Sequence, residues 1–426
     1  MRDSGEVAVF SAAALAAALI AGFGLGVWLL LARTWGVPMF GVSWLVLVQV
    51  HGLVQLFGFA GLFLIGVALH VLPRFRGAPP APVRLVVAIF ATTVVGLAVR
   101  AVAQPFTDLP ARDLLLTAGA VLLTIGTGCF AIAALRILVS GRNPHRADEL
   151  LIAVGVLLMP IAALLVTLAT VAVAGAGSPV VDQAADDRAL STMLLGSLSI
   201  VIFGVWARVA PAFVAAPPAR AGRLLTGAAI WLAGVLTLVA GWSIGAWLLL
   251  GGLSLITVAL GVFGRSIAHQ PLAEPARLTR LAVRSAFAWA FTGIALIVIA
   301  QLGTGSDGPM ISAARHALGL GFVTMMIYGV GSRALPAFLG RRLWSDRLQL
   351  ATIALTDLAV ALRVGLQSIG STEPIANAAV GLSGLIAYAA LVAFAINVAR
   401  TVRGPAKPAT RVDGLVRIEA TFPTHS

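Results

Sequence analysis

Residues 51–75 read HGLVQLFGFAGLFLIGVALHVLPRF, and they contain a motif that occurs three times in the chain. Each copy has two glycines eight residues apart, a cation three residues before a proline, and a phenylalanine two residues after that proline. The copies end at Phe75, Phe213 and Phe338, and an Arg-Leu pair follows each proline after 11 or 12 residues. Because a motif that returns at long intervals marks a repeated structural unit, the sequence predicts three related units.

The composition is that of an integral membrane protein. Of the 426 residues, 60% are hydrophobic and 11% are charged, whereas soluble domains average about 25% charged residues. Apolar runs long enough to cross a bilayer occur twelve times, at residues 8–32, 43–72, 84–103, 114–139, 150–175, 190–212, 223–241, 244–264, 284–303, 313–338, 348–368 and 376–399. The first run is longer than the apolar part of a signal peptide, so it is interpreted as a transmembrane helix.

Twelve runs in three units predict four transmembrane helices per unit, in an all-α polytopic fold. The membrane domain is expected to cover residues 1–400, with units at about 1–140, 141–265 and 266–400. The polar tail, residues 401–426, is expected to be cytoplasmic and disordered, because it has too few apolar residues to form a core.

The net charge of +13 is spread over loops rather than gathered on one binding face. All but six of the 29 lysines and arginines lie at the termini or in and beside the loops that follow even-numbered helices; the exceptions are Arg33, Arg100, Arg112, Arg188, Arg315 and Arg363. This positive-inside bias predicts that both termini are cytoplasmic in a bacterial-type inner membrane. The basic loops are expected to face solvent and lipid head groups, and a nucleic-acid partner is not expected. We call the opposite end of the bundle the predicted outer end.

Six histidines are the candidate ligands for a metal or a haem. Three lie in basic loops or in the tail and are expected to be solvated: His145, His269 and His425. His70 is replaced by arginine in the other two motif copies, at Arg208 and Arg333. It is therefore interpreted as an interfacial cation near the head groups or as a helix end-cap, with ligation of a metal or haem as the less favoured alternative.

His51 and His316 lie inside or at the start of apolar runs, where ionisable residues are costly and usually functional. His51 is 22 residues before Pro73, and His316 is 20 residues before Pro336. At a rise of about 1.5 Å per residue, the two histidines differ in depth by about 3 Å. The middle unit has no histidine at the matching positions. Two imidazoles at one level on separate helices are the arrangement that holds a six-coordinate haem, so the sequence predicts that His51 and His316 are haem ligands.

A pair of arginines repeats this asymmetry. Arg100 and Arg363 each follow the arginine of the Arg-Leu pair in their own unit by 16 residues, and the middle unit has Val239 at this position. A haem carries two propionates, and arginine is a strong partner for carboxylates. Arg100 and Arg363 are therefore predicted to bind the propionates, the alternative being that both extend to the outer head groups.

Four further residues are weaker candidates for this site. Arg315 adjoins His316, Arg33 ends the first apolar run, and Gln55 is one turn from His51. Asp357 lies in the middle of the eleventh run. It is interpreted as the structural partner of an arginine on another helix, with a proton-path residue or a buried neutral acid as the alternatives.

The second predicted helix resembles that of the haem–copper oxidase and nitric oxide reductase superfamily, in the pattern His51-Gly52-x5-Gly58-x7-Gly66-x5-Leu72-Pro73. This resemblance implies twelve helices in three arcs of four, with a low-spin haem held by histidines of helices 2 and 10. The tenth helix resembles the NnrS family, in the pattern Arg315-His316-Ala317-Leu318 followed by Gly329-Val330-x-Ser332-Arg333-x-x-Pro336-x-Phe338. Members of that family are bacterial haem- and copper-containing membrane proteins associated with the nitric oxide response.

The chain departs from the oxidases in the ligands of their binuclear centre. It has no histidine on the sixth or seventh predicted helix, and Ala314 stands two residues before His316. The oxidase copper and high-spin haem are therefore not expected. The NnrS resemblance implies copper as well as haem, but the sequence offers no obvious set of copper ligands.

These observations predict an NnrS-like membrane protein with a bis-histidine haem, expected to be of b type, near the predicted outer end. Its role is expected in redox physiology or the nitric oxide response, with a redox protein or nitric oxide as partner. Two alternatives remain open, a secondary transporter and a non-catalytic partner of a respiratory complex. We find no hydrolase triad, phosphate loop or paired catalytic carboxylates, so whether the protein is an enzyme stays open.

Overall fold

The computed structural model describes residues 5–268, 270–303, 308–370 and 373–404. Within these ranges the chain forms helices and no strand. The twelve helices of this part are α1 (Gly5–Trp35), α2 (Trp44–Arg76), α3 (Val83–Ala103), α4 (Arg112–Ser140), α5 (Ala147–Ala176), α6 (Gln183–Val214), α7 (Ala221–Val239), α8 (Ile244–Leu260), α9 (Glu274–Leu302), α10 (Gly308–Phe338), α11 (Asp346–Ser368) and α12 (Pro374–Arg403). Most of the predicted tail, from residue 405 onwards, lies outside the described residues, as do His269 and His425.

The predicted all-α polytopic fold is confirmed. Eleven of these helices are long and apolar enough to cross a membrane, while α8 is shorter, with 17 residues. The sequence predicted a longer run at this place, 244–264. The helix ends at Leu260 because Gly261 adopts a left-handed conformation with φ 60°, which terminates α-helices and is accessible to glycine without strain.

Helix pairing repeats along the chain. The third and fourth helices of each predicted unit pack along their lengths, as α3 with α4, α7 with α8, and α11 with α12. Glycines permit a close approach in the first two pairs: a Cβ added to Gly96 would lie 2.7 Å from the carbonyl oxygen of Gly119, and one added to Gly234 would lie 3.0 Å from that of Gly245. Small residues at such seams are how helices pack in a bilayer.

The second glycine of each motif copy lies against the first helix of its own unit. A Cβ at this glycine would approach the neighbouring helix to 2.4–2.8 Å, at the contacts Gly66–Phe10, Gly204–Ile152 and Gly329–Ala282. The motif glycines are therefore helix-packing positions, as their eight-residue spacing predicts.

The rest of the motif joins the three units to one another. The cation of each copy packs on the phenylalanine of another copy: Arg208 Cζ is 4.9 Å from the Phe75 ring centroid, Arg333 Cζ is 5.3 Å from that of Phe213, and the His70 and Phe338 ring centroids are 4.6 Å apart. Cation–π and ring contacts of this kind stabilise packed surfaces. They close a ring of three motifs at the predicted cytoplasmic end. His70 is only 4% exposed, so the prediction that it lies at the head-group interface is wrong.

A buried ion cluster holds the first two units together beside this ring. Arg76 is fully buried, donates to the carbonyl oxygens of Leu138 and Gly141 at 2.9 and 3.0 Å, and lies 3.2 Å from a carboxylate oxygen of Glu149. Arg76 was expected among the solvated basic loops. The partners that enclose Arg76 lie more than 60 residues further along the chain. Its position in a basic loop of the sequence therefore gave no sign that it is buried.

Four π-helical segments interrupt the α-helices. One lies in α1, at Ala18–Gly22, and three lie at similar places in α2, α6 and α10, at Val54–Gly61, Thr192–Leu198 and Ala317–Thr324. The last begins directly after His316, and the α2 segment begins three residues after His51. π-Helical turns rearrange backbone hydrogen bonds and occur frequently at functional sites. Their positions therefore direct attention to the outer halves of α2, α6 and α10.

Candidate functional site

A cavity of about 550 Å³ lies between the units at the predicted outer end. This volume is in the range of sites for small molecules and cofactors, about 300–1,000 Å³. Its walls come from eight helices, α1, α2, α6, α7, α9, α10, α11 and α12, and most of the lining side chains are apolar. Both His51 and His316 line it. The structure thus brings together the two histidines that the sequence paired by depth.

A carbonyl group of another helix orients His51. The Nδ1 atom lies 2.8 Å from the carbonyl oxygen of Gly22, the last residue of the π-helical segment of α1. Because a carbonyl oxygen can only accept, Nδ1 carries the proton, and in the neutral ring Nε2 keeps its lone pair. Gly26, one turn further along α1, lies against the same ring: a Cβ there would be 2.8 Å from His51 Cε1.

His316 has the same tautomer by a different route. Its Nδ1 donates to the carbonyl oxygen of Ser312 in its own helix, at 2.7 Å. The Nε2 atom of His316 therefore also keeps a lone pair. A ring nitrogen that donates to a carbonyl while the other nitrogen ligates is the usual arrangement at metal and haem sites. Each histidine is thus prepared for ligation through Nε2.

Arg363 supplies an unpaired positive charge to the cavity wall. It is 9% exposed, and its Nε and Nη1 atoms have no hydrogen-bond acceptor among the described residues. Arg33, an exposed residue near the end of α1, acts on it electrostatically and adds positive charge. A buried cation without a counter-ion is costly, especially in a membrane. The cavity is therefore suited to an anionic group such as a carboxylate.

Arg100 has a different position. It does not line the cavity, is 2% exposed, and donates from Nε to Thr170 Oγ1 and from Nη1 to Gln104 Oε1, both at 3.0 Å. Gln104 in turn donates to Gln49 Oε1 at 2.9 Å. This network ties α3 to α5 and α2. Two of the five guanidinium N–H donors of Arg100 are thus bound within the protein. Arg100 is not on the cavity wall, and its predicted contact with a propionate stays a prediction.

Two of the weaker candidates do line the cavity. Gln55 lies below His51, and its Oε1 atom is buried against Gly22 without a hydrogen-bond donor among the described residues. Arg315 lies at the opening and pairs with Asp187 of α6, Nη2 to Oδ1, at 2.5 Å. Gln55 therefore has an unused acceptor that is buried beside Gly22, whereas Arg315 is partly neutralised.

The other two, Arg33 and Asp357, lie outside the cavity lining, as does His70. Asp357 accepts hydrogen bonds from Ser285 and from Trp289 Nε1, the latter at 2.9 Å. It joins α11 to α9 through a hydroxyl and an indole, and no ion pair between Asp357 and an arginine is present among the described residues, so the predicted arginine partner is wrong. His70 is in the motif ring at the other end of the bundle, which separates it from this site.

Sequence reasoning missed the contribution of the middle unit. The start of α6 places Asp186, Asp187 and Arg188 on the cavity wall, and Gln301 of α9 also lines it, with its Oε1 lacking a donor among the described residues. The available signal was position: these charged residues precede the second motif copy at nearly the same distance as the histidines precede the other two. The absence of histidine from this unit hid the correspondence.

The side chains of the described ranges form no metal-binding cluster. No group of three or more His, Cys, Asp or Glu side chains is close enough there to hold a metal ion. Cys129, half-buried in α4, is a single thiol. The cavity offers two imidazole side chains, those of His51 and His316, and the guanidinium of Arg363.

The fold belongs to a recognised class of membrane protein. It is similar to a haem–copper terminal oxidase whose dimer was solved by cryo-EM, with a TM-score of 0.54 and 12% sequence identity, over 94% of this chain and 85% of that chain. At this identity the similarity establishes the fold alone. The predicted haem–copper-oxidase-like architecture is confirmed.

The sequence places the chain more narrowly. The profile of the family described as NnrS protein matches residues 9–405, which include all twelve helices except the first residues of α1. The chain belongs to the NnrS family. No curated protein sequence matches it.

Proposed function

We propose that this protein binds a haem in the outer cavity, with His51 and His316 as the two axial ligands. The observation that carries the proposal is that both imidazoles line one cavity and both use Nδ1 to bind a backbone carbonyl. Each ring is left with an Nε2 lone pair, which is the atom that binds haem iron.

Three properties of the cavity fit a haem. Its volume, about 550 Å³, suits a large planar cofactor. Its walls are mainly apolar, as the macrocycle requires, and Arg363 offers unpaired N–H donors to a carboxylate. The chain has one cysteine, so the Cys-x-x-Cys-His attachment of a c-type haem is impossible. These residues support a non-covalently held haem, and we propose that it is of b type.

A bound haem would supply one-electron redox chemistry. The residues of this chain would hold it: Gly22 and Ser312 keep the two histidines in the ligating tautomer, and Arg363 neutralises a propionate. Ligation by both His51 and His316 would favour electron transfer, and nitric oxide would bind the iron only by displacing one of them. We infer a role in redox physiology or the nitric oxide response of the bacterial inner membrane, with a redox protein or nitric oxide as partner. Family membership supports this inference.

The absorption spectrum of the purified protein tests the proposal. We expect the bands of a low-spin b-type haem, and we expect His51→Ala and His316→Ala each to lose that low-spin spectrum. His70→Ala is the matched control, since His70 is a buried histidine outside the cavity, and it should keep the spectrum. A colourless protein, or alanine variants with the wild-type spectrum, would contradict the proposal and favour a transporter or a non-catalytic partner.

A further inference from the structure

An ion pair spans the outer opening of the cavity. Arg315 of α10 and Asp187 of α6 both line the cavity, and their side chains are 40% and 34% exposed. The Nη2 and Oδ1 atoms are 2.5 Å apart. The two residues belong to different predicted units and are 128 positions apart in the sequence, so the pair bridges a gap between units.

This pair is a localised link. Among the described residues, no other hydrogen bond or ion pair within 4.0 Å joins Gln183–Ser191 of α6 to Gly308–His316 of α10. Asp186 of the same α6 segment also interacts electrostatically with Arg315. Apart from this ion pair, the starts of α6 and α10 face each other across the cavity that both of them line. The cavity also reaches exposed residues at this end, including Trp44 and Gly241. It therefore opens to the outer surface at the level of the ion pair.

We propose that the Arg315–Asp187 pair is a latch that controls exchange between the cavity and the outer aqueous phase. The inference rests on the proposed function in one respect, because the molecule that would enter or leave through the opening is the proposed haem. A half-exposed ion pair contributes little stability and is screened by salt. Such a contact can open and close readily, in contrast to the buried hydrogen bonds of Arg100. Arg315 also adjoins the proposed ligand His316 in the sequence.

Cysteine accessibility tests the latch without requiring haem. Ser191 lines the cavity at the end of the α-helical start of α6, so Ser191→Cys in a Cys129→Ala background places one thiol inside. The probe is an uncharged, hydrophilic polyethylene glycol maleimide, applied to detergent-purified protein. Its labelling rate is measured with and without Asp187→Asn or Arg315→Gln. The control pair is Arg112–Asp113, also an ion pair at 2.9 Å, whose residues do not line the cavity.

We expect each latch variant to raise the labelling rate about two- to fivefold, the range that breaking an exposed ion pair allows. Asp113→Asn should leave the rate unchanged. The exchanged pair, Asp187→Arg with Arg315→Asp, should restore the slow rate, and added salt should accelerate the parent protein but not the single variants. A reference thiol, Thr107→Cys on the exposed outer loop, should react equally in all backgrounds.

Equal rates in the parent and both single variants, at low and high salt, would overturn the latch. The same holds if the exchanged pair labels as fast as the single variants. Because the assay follows a thiol, it gives a result whether or not the protein contains haem. Failure of the latch is therefore distinguishable from failure of the proposed function, which the spectrum decides.

Discussion

Gly26 of α1 packs directly against the ring of His51. In the substitution Gly26→Ala, the new Cβ would lie 2.8 Å from Cε1, 3.2 Å from Nδ1 and 3.6 Å from Nε2 of the His51 ring. Carbon atoms in contact are normally about 3.5–4.0 Å apart. The ring must therefore retreat by roughly 0.7–1.2 Å, unless α1 moves, and α1 is packed against α2 and α12.

Such a shift acts on the hydrogen bond and on the ligand together. The Nδ1 to Gly22 oxygen distance is 2.8 Å, and lengthening it by the same amount exceeds the limit of about 3.2 Å for this bond. Loss of a partner that orients a ligand typically weakens metal binding by about 10- to 100-fold. We therefore expect Gly26→Ala to weaken haem binding by that factor and to broaden or shift the low-spin spectrum.

The assay is a haem titration of the haem-depleted protein, followed by absorbance and by the paramagnetic resonance of the ferric form. Gly128→Ala is the matched control, since a Cβ at Gly128, also within a transmembrane helix, would have no atom within 4 Å. Thermal unfolding of both variants shows whether the helix bundle is intact. Equal haem affinity and equal spectra for Gly26→Ala and Gly128→Ala would refute the claim that α1 positions His51.

Three further variants separate the ligand-binding residues from the structural ones. Arg363→Gln should weaken the binding of haem but not of haem dimethyl ester, whose propionates are uncharged; an equal loss for both, in parallel titrations, would remove Arg363 from the site. Arg100→Gln should lower the free energy of unfolding, because its buried hydrogen bonds to Thr170 and Gln104 are lost, at a cost of about 1–3 kcal/mol for each group left unsatisfied. This variant should bind haem and haem dimethyl ester alike, and a weaker binding of haem alone would support the predicted contact of Arg100 with a propionate. Asp357→Ala should lower the unfolding temperature with no change in the haem spectrum, and a spectral shift would show that Asp357 acts on the site.

The repeated motif made it possible to predict the depth of the two histidines along their helices. Counting residues back from Pro73 and Pro336 set His51 and His316 at one depth, and in the structure both line one cavity. The calculation needed only the helical rise and the assumption that equivalent helices start from equivalent levels. That assumption is reasonable because the motif glycines pack each second helix on the first helix of its own unit in the same way.

The same comparison of depths did not predict which of the two arginines lines the cavity. Arg100 and Arg363 occupy equivalent offsets, yet Arg100 donates to Thr170 of another helix and to Gln104 at the end of its own, whereas Arg363 lines the cavity. Depth along a helix does not determine which neighbour a side chain meets. Arg100 donates a hydrogen bond to Thr170, which belongs to a helix of the next unit. A single sequence gives no sign of such a contact.

The π-helical segments were equally hidden, since no residue pattern in α1 or α2 distinguishes them from ordinary apolar helix. Their effect is nevertheless local to the site. The segment in α1 ends at Gly22, whose carbonyl oxygen accepts from His51, and a widened turn is one way for a helix to present a carbonyl sideways. The glycines of α1, which composition alone assigns to packing, thus bring the backbone close enough to His51 to fix its tautomer.

The comparison of the three units explains how one cavity acquires distinct walls. The starts of α2, α6 and α10 converge on it and each continues into a π-helical segment. At this level the first unit presents His51, the third presents Arg315 and His316, and the middle unit presents Asp186 and Asp187. The middle unit therefore keeps the backbone form of the other two but supplies charge in place of imidazole. The two proposals above thus assign ligation to His51 and His316, and access to the ion pair between Asp187 and Arg315.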